Sequence, residues 1–174
     1  MLNLAIPQKA KTALQGYPAV ASRESLYQAL SQRAERVLSR NLLPKGCIVM
    51  CGETAAVEVY GLAAREAASL YVVPEENLST QWLADHVDEI DVLIVDGDYM
   101  GDVEDTVDFC LRVRRAVPSL PVILVSSEMR GDDFTCERMQ ACDVSLKSAF
   151  TENRLRAAIK AAYENNTYFL STKV

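Results

Sequence analysis

The chain has 174 residues, 49% of them hydrophobic, and a formal net charge of −6. That length and apolar share suit one globular domain plus an extension and exclude disorder throughout. No apolar run approaches the roughly 18 residues of a membrane span, and MLNLAIPQKAK lacks a signal peptide's basic start, so a cytoplasmic protein is expected.

Residues 1–21 contain Pro7, Gly16 and Pro18 without a sustained period and read as irregular chain. Ser22 suits an N-cap for a helix over about 23–41. Leu26, Tyr27, Leu30, Ala34, Val37 and Leu38 form its apolar stripe, with Arg33, Arg36 and Arg40 on the other faces. Pro44 stops it. Such a stripe must be buried somewhere: on its own domain, in a homodimer seam or on a partner. The expected organisation is an extension over 1–44, a domain over 45–166 and a tail over 167–174.

Charge divides along the same line. Residues 1–45 carry seven Lys/Arg and two Asp/Glu, whereas residues 46–174 carry eleven and twenty-two. An acidic domain repels phosphates, so direct nucleic-acid binding is not expected, nor is a membrane partner. Five cysteines (47, 51, 110, 136 and 142) include no Cys-x-x-Cys, and the only histidine is His86. A disulfide framework and a structural zinc site are therefore not expected.

From Lys45 a regular alternation begins. Cys47–Met50 is a short apolar run ended by Cys51-Gly52, and Thr54 reads as the cap of a helix to Ser69. Leu70–Val73 is the second strand, 79–87 a helix, and Asp91–Asp96 the third strand. A helix over 103–117 ends at Pro118, and Leu120–Val125 is the fourth strand. A weaker helix is expected over 132–140, a short strand over Val144–Leu146, and a last helix from Thr151 to about Glu164. This is a (βα)5 pattern. Apolar strands without alternation imply a parallel sheet covered on both faces, a doubly wound α/β fold. In such sheets the ligand crevice lies beyond the carboxyl ends of the strands.

Those ends carry chemistry. A carboxylate can accept a phosphoryl group as an acyl phosphate, a hydroxyl can donate to that group, and a lysine can neutralise it. Asp96, Ser126 and Lys147 stand at the ends of strands 3, 4 and 5 in these three roles.

The ordered set resembles the receiver domain of two-component response regulators over about residues 46–165. Asp91-Val-Leu-Ile-Val-Asp96 looks like that family's strand 3, Pro121-Val-Ile-Leu-Val-Ser126 its strand 4, and Asp143-Val-Ser-Leu-Lys147 its strand 5. The resemblance implies a flavodoxin-like strand order 2-1-3-4-5 and a CheY-like phosphoacceptor at Asp96, with Ser126 and Lys147 touching phosphate. It implies a histidine kinase, phosphotransfer protein or other signalling protein as partner.

Several positions depart from the family. Two adjacent acids after strand 1 normally help hold Mg²⁺. Here Cys51-Gly52 stand there, leaving Glu53, Asp96 and the Asp98 carbonyl as candidate ligands for a weakened Mg²⁺ site. Without the metal, a phosphoryl donor and Asp96 repel one another. Val144 replaces an aromatic ring three residues before Lys147. Ser148 and Met100 stand where the family has prolines. These departures favour an atypical receiver-like protein that is not an enzyme and acts through protein contact, with phosphorylation weak or absent. An Asp96-phosphorylated receiver is the alternative.

A flavodoxin-like flavin or small-ligand binder would share the topology but would want a glycine-rich turn after strand 1, and Cys51-Gly-Glu-Thr54 has one glycine. Cys51 as an oxidant sensor would need a lowered thiol pKa, which neighbouring acids oppose. Asp98, Asp102, Glu104 and Asp105 read as a loop and helix start, where acids suit the helix dipole. Only about ten residues follow the last expected helix, so output through protein contact is expected.

Overall fold

Each apolar run becomes a strand because its branched residues fit a sheet buried on both faces. In the computed structural model, the residues described are 42–172, apart from 136, 138 and 139. The expected helix over 23–41, with Leu26, Tyr27, Leu30, Ala34, Val37 and Leu38, lies outside them. The strands are β1 (Cys47–Cys51), β2 (Ser69–Val73), β3 (Val92–Asp96), β4 (Val122–Ser126) and β5 (Val144–Lys147). They form one sheet in the order 2-1-3-4-5, and every pairing between them is parallel. This is the flavodoxin-like arrangement.

The helices are α1 (Val57–Glu66), α2 (Thr80–His86), the short α3 (Gly97–Met100), α4 (Val103–Ala116) and α5 (Glu152–Ser171). Side chains alternate across each strand, so the sheet serves two cores. Ile48, Met50, Ile94, Ile123 and Leu146 pack on the face covered by α1 and α5. Val49, Cys51, Leu93 and Val95 pack on the other face with Leu83 of α2 and Phe109 and Val113 of α4. Burying a Val, Leu or Ile contributes about 1.5–3 kcal/mol. Exposed ion pairs such as Arg112–Glu75 contribute about 0–1 kcal/mol, so the two cores dominate stability.

Two acids lock the amino-terminal edge of the sheet. Asp91 is fully buried just before β3 and accepts the amides of Lys45 (2.9 Å) and Cys47 (2.8 Å) and the Tyr163 hydroxyl (2.8 Å). Asp143 repeats the device before β5. It accepts the Val122 amide at 2.7 Å and pairs with Arg114 at 2.7 Å, both side chains being buried.

The structure corrects three local expectations. Thr54 does not cap α1, which starts at Val57 behind Ala56, with no side-chain cap bond. Residues 132–135 do not begin a helix. Asp133 exchanges two backbone hydrogen bonds with Ser145 (2.8 and 2.9 Å) and covers the outer edge of β5. Side-chain bonds from this segment compete with helix formation: Asp132 accepts the Lys147 amide and Asp133 accepts from Thr135.

Lastly, α5 runs to Ser171 rather than ending near Glu164, so most of the expected tail is helix. Asn166 and Phe169 explain the extension. Both are buried, Asn166 donating to the Pro118 carbonyl at 3.0 Å and Phe169 lying 4.7 Å beneath the Arg114 guanidinium.

Candidate functional site at the carboxyl ends of the strands

Parallel pairing brings the three strand ends into one corner. Ser126 lies opposite Lys147, and Asp96 opposite Val125. Asp96 ends β3 and caps α3, its Oδ1 accepting the amides of Asp98 (3.1 Å) and Tyr99 (3.2 Å). Partial burial outweighs those bonds and pushes the Asp96 carboxyl above its ordinary range, with the Asp98 charge adding to the rise.

Asp98 behaves differently. Its Oδ1 accepts the Ser126 hydroxyl at 2.7 Å, and the Ser127 amide reaches both carboxylate oxygens, at 2.8 and 2.9 Å. Partial burial opposes the ion, but donors from Ser126, Ser127 and Ser148 together hold this carboxyl below the usual range. Ser126 therefore faces a carboxylate of its own chain. Nothing in the spacing of Asp98 and Ser126 signals this contact, because 28 residues separate them.

Gly97 makes it reachable. A Cβ there would stand 3.2 Å from the Val125 carbonyl oxygen and 3.3 Å from Ser126 Cβ, so glycine lets the loop lie against the end of β4. Gly52 plays a similar part on the other side, where a Cβ would stand 3.3 Å from Asp96 Cβ.

Lys147 is fixed through its backbone. Its amide donates to Asp132 Oδ1 at 2.9 Å, and its carbonyl accepts from Arg154 at 3.4 Å. Arg154 also grips Asp132 through two nitrogens and donates to the Ala149 carbonyl at 3.4 Å. That last contact steadies Ala149, whose φ of 60° is unusual for a residue with a Cβ. Among the described residues no ion pair joins Lys147 to Asp96. The Asp132–Arg154 clamp was not legible in the sequence, having read as part of a weak helix.

Of the candidate Mg²⁺ ligands, Asp96 is partly buried at the end of β3 and Glu53 is exposed, and Gly52 offers no side chain. Among the described residues no group of three or more His, Cys, Asp or Glu side chains is placed to hold a metal. Mg²⁺ is usually held by one or two carboxylates with water, and with Cys51-Gly52 in place of an acid pair only Asp96 and Glu53 remain to supply them.

Cys51 is fully buried. Burial, then the charges of Glu75, Asp96 and Glu76, push its thiol up to about 12, so it lacks the thiolate a sensor needs. Val144 sits in the α5-side core opposite Ile123. His86 stacks on Trp82 at 4.6 Å between ring centroids, its Nδ1 lying 2.8 Å from the Trp82 carbonyl. Asp102 caps α4 through the amides of Glu104 (2.7 Å) and Asp105 (3.4 Å), as the acids at that helix start suggested.

An open groove of about 1320 Å³ runs beside this corner. Asp98, Ser126, Ser127, Cys142 and Ser145 are among the residues that line it, and Asp96 and Lys147 are not. Among the described residues no helix is long and apolar enough to cross a membrane.

No family model matches the chain, and no curated protein matches it. Among solved structures it is similar to a pilus assembly-related protein from Burkholderia pseudomallei, at 20% identity and a TM-score of 0.47, over 68% of this chain and 90% of that one.

Proposed function

We propose that this protein is an atypical receiver-like module that works in signal transduction through contact with another protein, with phosphorylation of Asp96 weak or absent. It is a binding module rather than an enzyme, and cytoplasmic. A histidine kinase, a phosphotransfer protein or another signalling protein is the partner class. The observation that carries the reading is the state of the strand-end corner. Asp96, Ser126 and Lys147 stand at adjacent strand ends, yet Ser126 is engaged by Asp98, and Cys51-Gly52 occupy the place of the acid pair that would help hold Mg²⁺. Phosphoryl transfer to a carboxylate depends on charge neutralisation, and among the described residues Lys147 is the one lysine at these strand ends.

Incubation with acetyl phosphate and Mg²⁺, followed by intact mass measurement, tests the reading. The wild type is expected to gain little or no phosphoryl mass. A stoichiometric adduct that disappears in Asp96→Asn would overturn it in favour of a working phosphoacceptor. A yellow colour or bound small ligand in the purified protein would favour a flavodoxin-like binder instead. The stripe at Leu26, Tyr27, Leu30, Ala34, Val37 and Leu38 is proposed to form a homodimer seam. Removing residues 1–44 should then lower the number of chains per particle measured by light scattering, and an unchanged number would refute the seam.

A further inference from the structure

We propose that the groove beside α4 receives the apolar stripe of residues 26–38 from a second copy of the chain. The proposal rests on the homodimer reading of that stripe and names the surface on which it seats. Three observations carry it.

The first is an uncovered stretch of sheet. Among the described residues, the crossover from β4 to β5 contains no α-helix. β4 lies between β3 and β5, where both faces should be covered, yet Leu124 stays only partly buried. Val103, Val107 and Leu111 recur every four residues on one face of α4 and line the same groove. They too stay open, Val103 at 65% exposure and the other two in part. An amphipathic helix fills such a groove by laying its own apolar stripe along it.

The second is charge. Asp98, Glu128, Asp132 and Asp133 line the groove, and Arg130 is the only basic residue among them. Residues 23–41 carry Arg23, Arg33, Arg36 and Arg40 against Glu24 and Glu35. At about 100° per helical residue, Arg33, Arg36 and Arg40 fall along one border of the stripe, where they would meet the acidic walls.

The third is topology, which favours a second copy over the chain's own stripe. Leu42 packs in the core under α1 and α5, whereas Leu124 and Cys142 pack in the opposite one. The chain's own stripe would have to pass around the sheet. The four residues from Leu38 to Leu42 span at most about 14 Å. Three strand spacings from β1 to β5 alone take up about 14 Å. A stripe from a second copy has no such tether, and a two-fold axis makes the exchange reciprocal, with two contacts per dimer.

Light scattering of the full chain tests this, with chains per particle as the readout. Wild type is expected at two. Val107→Glu places a carboxylate against the incoming stripe and should raise the dimer dissociation constant by roughly tenfold or more. Val103→Glu, at a position open to solvent within one copy, carries the same expectation with little risk to folding. Leu30→Glu in the stripe should also weaken the dimer. Mixing Val107→Glu with Leu30→Glu should restore part of the pairing, because one of the two contacts is then rebuilt from an intact groove and an intact stripe. Both groove variants remaining as dimeric as wild type would overturn the proposal. If Leu30→Glu still weakened the dimer in that case, the homodimer reading would stand without the groove, so the two ideas fail separately.

Discussion

The sheet carries two pairs of aspartates, one at each end, and they are treated in opposite ways. Asp91 and Asp143 at the amino-terminal ends are buried to about 1% exposure or less, and each ties the start of a neighbouring strand. Asp96 and Asp98 at the carboxyl ends are partly or largely open; Asp96 accepts the amides of Asp98 and Tyr99, and Asp98 accepts from Ser126 and Ser127 at the end of β4. A buried ion without partners is costly, so the first pair is committed to the fold. An open acid can exchange its partners for solvent or ligand at little cost, so the second pair is available for recognition. Within one chain, an aspartate beside a β-strand thus means a buried tie at one end and an open, exchangeable group at the other.

Substitutions should separate the two ends by size of effect. Asp143→Ala leaves Arg114 buried without its partner and should cost about 3–5 kcal/mol in urea unfolding. A loss below about 1 kcal/mol would mean that solvent reaches the pair. Asp91→Ala strands two amides and the Tyr163 hydroxyl, for a loss of about 3 kcal/mol by the same measurement. Tyr163→Phe removes one of those bonds and should cost about 1 kcal/mol.

At the open end, changes should stay within about 0.5 kcal/mol and differ in sign. The Asp96 carboxyl is raised in the folded protein, so its ionisation costs stability as pH rises past the unfolded value and through the folded one. Asp96→Asn keeps the helix cap and removes that cost, so its melting temperature should rise slightly at pH 7. The Asp98 carboxyl is lowered, so its contribution is full above the unfolded value and is lost as pH falls through the folded one. Asp98→Asn should therefore melt slightly lower at pH 7. Both differences should vanish under acid conditions, where all carboxyls are protonated. Equal shifts in the same direction would break the contrast.

Much of the fold was legible because its signals are local. Apolar runs such as Asp91–Asp96 and Pro121–Ser126 need no partner to be recognised as buried strands. The end of α5 was not legible. Glu164-Asn-Asn-Thr reads as a polar stop until Asn166 meets Pro118 and Phe169 meets Arg114, contacts made 48 and 55 residues apart in sequence. The stretch at 132–135 failed for a related reason, since Asp132 and Asp133 bond to the far side of β5 and to Thr135. Strand-end spacing was enough to place Asp96, Ser126 and Lys147 at the ends of neighbouring strands. The engagement of Ser126 by Asp98 depends on how closely Gly97 lets two loops approach, which only coordinates reveal.

The strand-end corner can be interrogated directly with beryllofluoride, a mimic of an aspartyl phosphate, added with millimolar Mg²⁺ while backbone amide shifts are followed. With the metal acids missing and the Ser126 donor engaged, the amides of Asp96, Ser126 and Lys147 should show no saturable shift. Saturable shifts centred on those three residues would contradict the receiver-like module without phosphorylation and establish a pocket that still accepts a phosphoryl group.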